Sequence, residues 1–377
     1  QYVDTVNMTD LVEKALPQIL AELDPHSTYI PAKDLAEVNS ELEGSFSGIG
    51  IQFTIQDDTI HVNSVIQGGP SEKVGLMAGD RIVSVNDTAF VGKKVTNELA
   101  MRKLKGPKGS EVKLGIKRMS EKEVLHFSII RGEIPQNTID AAYMISDNFG
   151  YVQISKFGRT THVELLNAIA QLSHKNCKGL IIDLRGNTGG YMEAAIRMVN
   201  EFLPEGKLIV YTQGRKYPRS EEFANGTGSC QKMPLVVLID EGSASASEIF
   251  TGAIQDNDRG TVVGRRSFGK GLVQVTREVP YGGGIKVTSS KYYIPSGRCV
   301  QAIDYSHRNA DGSVGRIPDS LTTVFYTQAG RQVRDGGGVT PDIVMNEPKT
   351  PNITYYLENQ YIVFDWVTDW VVRHKSI

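Results

Sequence analysis

The sequence predicts an α/β protein: a core of mixed sheet with helical cover, an inserted small β-rich domain, and an N-terminal helical segment. Three observations lead there. Through residues 133–377, apolar runs of strand length alternate with runs at helical spacing. Between residues 42 and 132, short apolar runs are punctuated by glycine-containing turns. Within residues 1–41, Leu11, Val12, Ala15, Leu16, Ile19 and Leu20 recur at the spacing of one helix face.

The elements follow in chain order. The first helix ends at Asp24-Pro25, because proline disfavours helix in the residue before it, and a second short helix is expected after Pro31. In the β-rich domain, Gly48-Ile-Gly-Ile-Gln-Phe53 opens a strand and Ile60–Val65 makes another. Gly79-Asp-Arg-Ile-Val-Ser-Val-Asn86 reads as a further strand, Thr96–Leu104 as a short helix, and Val112–Ile116 and Val124–Ile130 as strands. Beyond residue 132, Tyr151–Ile154 reads as a strand and Val163–Leu172 as a helix. Leu180–Leu184 is a buried strand, followed by a helix at Met192–Phe202. Leu208–Thr212 and Leu235–Ile239 continue the sheet, and Ser245–Gln255 is a helix with Ala246, Ile249, Phe250, Ala253 and Ile254 on one face. Residues 304–338 are polar and glycine-rich, which predicts a long surface excursion. The tail aromatics Tyr355, Tyr356, Tyr361, Phe364, Trp366 and Trp370 fit either a cover over the core or a homodimer contact.

Composition excludes several classes. With 41 basic and 43 acidic residues the chain carries a formal charge of −2, so no global field draws nucleic acid or an anionic membrane. Hydrophobic residues at 40% and charged residues at 22% fit a globular chain rather than a disordered one. Cys177, Cys230 and Cys299 are widely spaced, with no zinc pattern and no disulfide framework. No apolar run approaches the ~18 residues of a membrane helix. The chain begins at Gln1 rather than Met, which fits a leader removed from a longer precursor.

The usual catalytic signatures are missing. There is no HExxH and no GxSxG. Gly264-Arg-Arg-Ser-Phe-Gly269-Lys270 comes near a phosphate-binding loop, but Gly271 stands where a hydroxyl must reach magnesium, and the next segment is β-like. The seven histidines do not cluster and read as surface or capping residues. No metal or organic cofactor is called for.

Two segments stand out. Asp183-Leu-Arg-Gly-Asn-Thr-Gly-Gly190 follows one buried strand, and Glu241-Gly-Ser-Ala-Ser-Ala-Ser-Glu248 follows another. Ser245-Ala-Ser-Glu248 has the form of a helix capping box, which alone makes Ser245 only a cap. Lys270, in Ser267-Phe-Gly-Lys-Gly-Leu-Val-Gln274, changes that reading. A serine needs a base to become a nucleophile, and a lysine supplies one when burial leaves its amine neutral. Gln274, four residues on, shares a face with Lys270 and can orient its amine. A serine at a helix N-terminus also has backbone N–H groups beside a developing oxyanion.

These segments resemble the carboxyl-terminal processing proteases, tail-specific serine peptidases with a Ser/Lys dyad. Leu23-Asp-Pro-His-Ser-Thr-Tyr29 matches as well, and the resemblance runs from about residue 10 to residue 345. Thr188 departs from it, standing where many relatives carry proline. Residues 42–132 resemble a PDZ domain, through Gly48-Ile-Gly-Ile51 and the "AGDRIVSVN" segment. The resemblance implies Ser245 as nucleophile, Lys270 as base and Gln274 as its orienting partner, with Asp256 a lower-ranked alternative to Gln274. It implies oxyanion donors at the Ala246 N–H and at Gly189 or Gly190. The backbone N–H groups of Gly48, Ile49, Gly50 and Ile51 would hold a terminal carboxylate while the peptide adds a strand to the sheet edge. The implied substrates are polypeptides with free C-terminal tails. The implied setting is the bacterial periplasm or another extracytoplasmic space. Division into 1–41, 42–132 and a protease core with C-terminal extension at 133–377 follows. A non-catalytic scaffold that binds peptides through the same fold is the alternative.

Overall fold

The structure, a computed structural model, describes residues 3–32, 34–35, 45–135, 137–308, 313–347 and 349–374. It forms two compact units, residues 1–44 with 137–347, and residues 45–136 with 348–377.

The first unit is built on a six-stranded sheet. Its order is Ile139–Met144, Phe149–Ile154, Gly179–Asp183, Leu235–Ile239, Thr261–Gly264 and Ile343–Val344. The first pair is antiparallel and every later pair parallel, so the sheet is mixed. Parallel neighbours need crossovers, and the helices Thr161–Ser173, Met192–Asn200 and Ala246–Asp256 lie on three of them. The central strands are almost wholly apolar because helices cover the sheet. Ile182 and Val237 are fully buried in one cluster with Phe157, Met198, Phe202 and Phe250, and Phe202 meets Phe250 edge-on at 5.9 Å. Every residue of helix Ala246–Asp256 is buried, and the polar side chains off its apolar stripe, Glu248, Gln255 and Asp256, are buried with hydrogen-bond partners.

A second sheet in this unit is organised by the ten-residue strand Gly284–Tyr293. One edge pairs with Leu272–Glu278. The other edge pairs with the N-terminal strand Thr28–Ile30 at residues 284–286 and with Leu208–Gln213 at residues 291–293. Register shifts between Val273 and Gln274, so that Ser289 is an extra residue and Gln274 faces Thr288. The first helix, Met8–Ala21, is capped by Asn7, whose side chain accepts the Thr9 N–H. The short helix expected after Pro31 falls largely outside the described residues.

Residues 304–338 differ from the expected bare excursion. They hold two hairpins, Ile303–Arg308 with Val314–Arg316 and Val324–Tyr326 with Gln332–Arg334. Arg331 holds the second in place through Asp258 and Asp342. These are contacts between residues distant in sequence, so local composition does not show them.

The second unit centres on a sheet ordered Ile51–Gln56, Thr59–Val65, Arg81–Val85, Glu111–Lys117 and Leu125–Ile130, with the helix Asn97–Leu104. Its core gathers Ile60, Val62, Ile82, Leu114, Ile116 and Ile129. Ser45–Gly48 pairs separately with Gly132–Pro135. The tail helices Asn352–Asn359 and Ile362–Arg373 belong to this unit, where the sequence reading attaches them to the protease core. A helical period does not say which apolar surface a helix will cover. At the contact, a Cβ on Gly79 would lie 2.6 Å from Thr368 Cγ2, and Gln56 Nε2 donates to Asp365 Oδ2 at 3.4 Å. Tyr355, Tyr356 and Trp366 stay exposed. Among the described residues no helix is long and apolar enough to cross a membrane.

Candidate active site

Ser245 occupies the turn between strand Leu235–Ile239 and helix Ala246–Asp256, with φ +57° and ψ −112°. An L-residue held there carries strain of about 1–3 kcal/mol, which persists only where the surroundings over-determine it. The surroundings do so through Asp183–Gly190. The Leu184 carbonyl accepts the Ser243 hydroxyl at 2.7 Å. The Asn187 carbonyl accepts both the Ala244 N–H at 2.9 Å and the Ser247 hydroxyl at 2.8 Å. Gly186 donates its N–H to Asp240 at 2.8 Å. Ser243 and Ser247 are therefore buried and bonded into the framework, while the Ser245 side chain between them is half-buried.

Asp183 anchors the start of that loop. Its carboxylate accepts from Arg185 and from the Tyr151 hydroxyl at 2.6 Å. Burial alone would raise its pKa, but these bonds hold it below the usual carboxylate range. The Asn187 side chain then closes the loop, donating to the Ile154 carbonyl and accepting the Gly189 N–H at 2.9 Å. Gly189 lies directly against the turn: a Cβ there would meet the Ala244 oxygen at 2.6 Å and both the Ala246 nitrogen and Ser245 Cβ at 2.9 Å. The two predicted oxyanion glycines thus differ. The Gly189 N–H is engaged by Asn187, whereas the Gly190 N–H has no acceptor among the described residues.

Glu248 joins the serine turn to the lysine segment. It is completely buried, and its Oε2 accepts the N–H of Ser245 at 2.9 Å and of Lys270 at 2.8 Å. Its Oε1 accepts the Ser267 hydroxyl at 2.5 Å and the Gly269 N–H at 2.7 Å. Burial pushes this carboxyl up, and the four donors oppose that shift by favouring the charged form. Sequence reading finds Glu248 only as a capping residue; the buried second set of donors comes from a segment some twenty residues on.

Lys270 is half-buried and its amine pKa is lowered, first by burial and then by the neighbouring Lys286, against the pull of Asp24 and Glu248. Among the described residues, no hydrogen bond joins the Ser245 hydroxyl to the Lys270 amine. Gln274 donates through Nε2 to Thr288 Oγ1 at 3.2 Å. Asp256 lies at the opposite end of the helix that starts at Ala246, about 15 Å along the axis. There it pairs with buried Arg298 at 2.9 Å and accepts the Ser296 N–H. That position gives Asp256 a structural role and removes it as a partner for Lys270.

His26 is the histidine that sequence reading passes over. Its pKa is lowered by burial and by Lys270, which places its ring in the field of that amine. It arrives with the N-terminal segment Asp24–Ser27, whose Ser27 Oγ accepts the Thr288 N–H at 3.1 Å. Among the described residues no cluster of His, Cys, Asp and Glu is suited to a metal ion.

In the second unit, the Gly48–Ile51 turn is pinned through its carbonyls. The Ile49 carbonyl accepts from Ser71 at 2.9 Å and the Gly50 carbonyl from Ile66 at 3.0 Å. The N–H groups of Ile49 and Gly50 find no acceptor among the described residues. Gly50 has φ +78°, and a Cβ there would come within 3.0 Å of Ile134.

A strained serine on a strand–helix turn, held in a mixed α/β core, defines with the glycine-rich β domain a serine-type peptidase carrying a PDZ domain. Known proteins agree. Residues 148–307 match peptidase family S41 and residues 47–129 match the PDZ domain. The chain is 36% identical over 308 residues to a carboxy-terminal-processing protease of Bartonella bacilliformis, covering 80% of this chain and 70% of that one. It is 34% identical over 303 residues to the carboxy-terminal processing protease CtpB of Bacillus subtilis, covering 80% of this chain and 62% of that protein. The solved photosystem II D1 C-terminal processing protease is 25% identical, with a TM-score of 0.52 over 91% of this chain and 84% of that one. The chain belongs to peptidase family S41, alongside the carboxy-terminal processing proteases.

Proposed function

We propose that the chain is an extracytoplasmic endopeptidase that captures polypeptide C-termini and cleaves near them through a Ser245/Lys270 dyad oriented by Gln274. The observation that carries this reading is the Glu248 carboxylate, which accepts the backbone N–H of both Ser245 and Lys270 and so ties nucleophile and base to one buried point. The lowered pKa of Lys270 supports it, because only a neutral amine accepts a proton.

In this mechanism the Lys270 amine takes the Ser245 hydroxyl proton as Oγ attacks the scissile carbonyl carbon. The oxyanion is met by the Ala246 N–H and a glycine N–H of the Gly189-Gly190 pair, of which Gly190 has its proton to offer. The Lys270 ammonium then protonates the leaving amine, and water hydrolyses the serine ester. Gln274, with its amide nitrogen turned to Thr288, keeps its carbonyl oxygen for the Lys270 amine. The N–H groups from Gly48 to Ile51 hold the substrate's terminal carboxylate, a reading supported by the two that have no acceptor.

Incubating the wild type and Ser245→Ala with an unstructured protein ending in an apolar C-terminus, read by mass spectrometry, tests this. Wild type should release tail fragments and the variant none. Cleavage by both would overturn Ser245 as nucleophile; tight binding without cleavage by either would point to a scaffold.

A further inference from the structure

The N-terminal segment enters the core unit as a three-residue edge strand, Thr28–Ile30, beside residues 284–286. Immediately before it lies a run of buried polar groups with no part in the dyad as such. Asp24 is only 6% exposed. Its Oδ1 accepts the N–H of His26 at 2.8 Å and of Ser27 at 2.9 Å, and its Oδ2 accepts the Ser27 hydroxyl at 3.0 Å. With that proton committed to Asp24, a lone pair of Ser27 Oγ is fixed to receive the Thr288 N–H at 3.1 Å. Thr288 Oγ1 in turn accepts from Gln274 Nε2 at 3.2 Å. Thr288 faces Gln274 only because Ser289 is the extra residue of a β-bulge, the kind of irregularity that re-aims a side chain beside a site.

We propose that Asp24, Ser27 and Thr288 form a positioning relay that fixes the amide of Gln274 and, through it, the Lys270 amine. The relay rests on the Ser245/Lys270 reading and extends it to the start of the chain. Each link uses a donor on one residue and an acceptor on the next. With Nε2 spent on Thr288, Oε1 is the Gln274 atom left for lysine. None of the three is hydrogen-bonded to Ser245 or to the Lys270 amine among the described residues; Ser27 and Thr288 act on geometry, while Asp24 also pulls on the Lys270 amine through its charge. Misplacing a catalytic group by an ångström costs on the order of 100-fold in rate.

The test is a coupling measurement on the full chain with a fluorogenic peptide that ends in a free apolar carboxyl group. Ser27→Ala and Thr288→Val should each lower kcat by about 10- to 100-fold with KM little changed. Thr288→Ser, which keeps the hydroxyl, should recover most of the loss. In a Gln274→Ala background, Ser27→Ala should cost almost nothing more, because the link it serves is already cut. Equal losses in the two backgrounds, with Lys270→Ala still inactive, would overturn the relay and leave the dyad standing. Activity surviving in Lys270→Ala would instead remove the dyad reading itself. Thermal unfolding of each variant separates a positioning loss from a folding loss: a kcat defect that tracks the fall in Tm and is not rescued by Thr288→Ser would also overturn the relay.

Discussion

At the residue scale, the three serines of Ser243–Ser247 divide by what holds their hydroxyls. Ser243 and Ser247 bond to carbonyls of the Asp183–Gly190 loop, so Ser243→Ala and Ser247→Ala should each cost about 1–2 kcal/mol by chemical denaturation. They are less innocent controls than their sequence suggests. Ser245→Ala should leave stability within about 1 kcal/mol, since alanine inherits the same strained backbone, and abolish peptide turnover. The pH dependence follows from Lys270. Its folded pKa is depressed, so kcat/KM should rise with pH through that lowered value as the neutral amine forms. Stability behaves consistently: between the ordinary lysine pKa and the depressed one, the unfolded chain binds a proton that the folded chain does not, so stability falls as pH drops through that window and then levels. Lys270→Arg should be inactive, because guanidinium does not deprotonate. His26 sharpens the check, since it is the histidine coupled to Lys270. His26→Gln should keep the acid limb of the profile; loss of that limb would assign it to the imidazole. The segments around Ser245 and Lys270, which Glu248 ties together, stood out in the sequence because each is a short motif with its own chemistry. His26 did not, because only the fold brings the start of the chain back to residue 270.

At the element scale, the serine turn is set by two segments acting from opposite sides. The Asp183–Gly190 loop clamps it through carbonyls, and Glu248 clamps it through a carboxylate shared with Ser267, Gly269 and Lys270. Glu248→Gln keeps the shape but replaces an acceptor-only oxygen with a donor that faces other donors. It should destabilise the chain by about 1–3 kcal/mol, read as a lower denaturation midpoint, and lower kcat. Gly189→Ala should be at least as severe, because φ +101° penalises any Cβ and the new methyl meets the Ala244 oxygen at 2.6 Å. The crossover strands and helices of the core were readable from period alone, since burial on both faces writes itself into apolar runs such as Leu235–Ile239. The edge strands were harder. Ile139–Met144 is half-exposed and lacks a clean apolar run, and Ile343–Val344, though apolar, is only two residues long, too short to read as a strand. The second hairpin within 304–338 was hidden for a related reason: Arg331 anchors it to Asp258, far away in the sequence.

At the scale of the whole molecule, the peptidase match and the PDZ match fall in different compact units, and the tail helices Asn352–Asn359 and Ile362–Arg373 belong to the unit with the PDZ match. That assignment changes how tail capture should be measured. A fragment ending near residue 132 would strip the helix Ile362–Arg373 from the surface at Gly79 and Gln56. The full chain with Ser245→Ala, which should bind without turnover, is the proper reagent. The turn at Gly48–Ile51 fixes its carbonyls on Ser71 and Ile66 and leaves the Ile49 and Gly50 N–H groups without acceptors among the described residues. A buried N–H without a partner costs about 1–3 kcal/mol, and a carboxylate satisfies two at once with charge-assisted bonds. A peptide with a free C-terminus should therefore bind more tightly than its C-terminal amide, by roughly ten-fold or more in Kd for one lost charged bond. Isothermal titration of both peptides decides it. Equal affinities would mean that the domain reads side chains or strand pairing alone. A Gly50→Ala variant should lose the difference between the two peptides, because φ +78° and the Ile134 methyl at 3.0 Å displace the turn that presents both N–H groups.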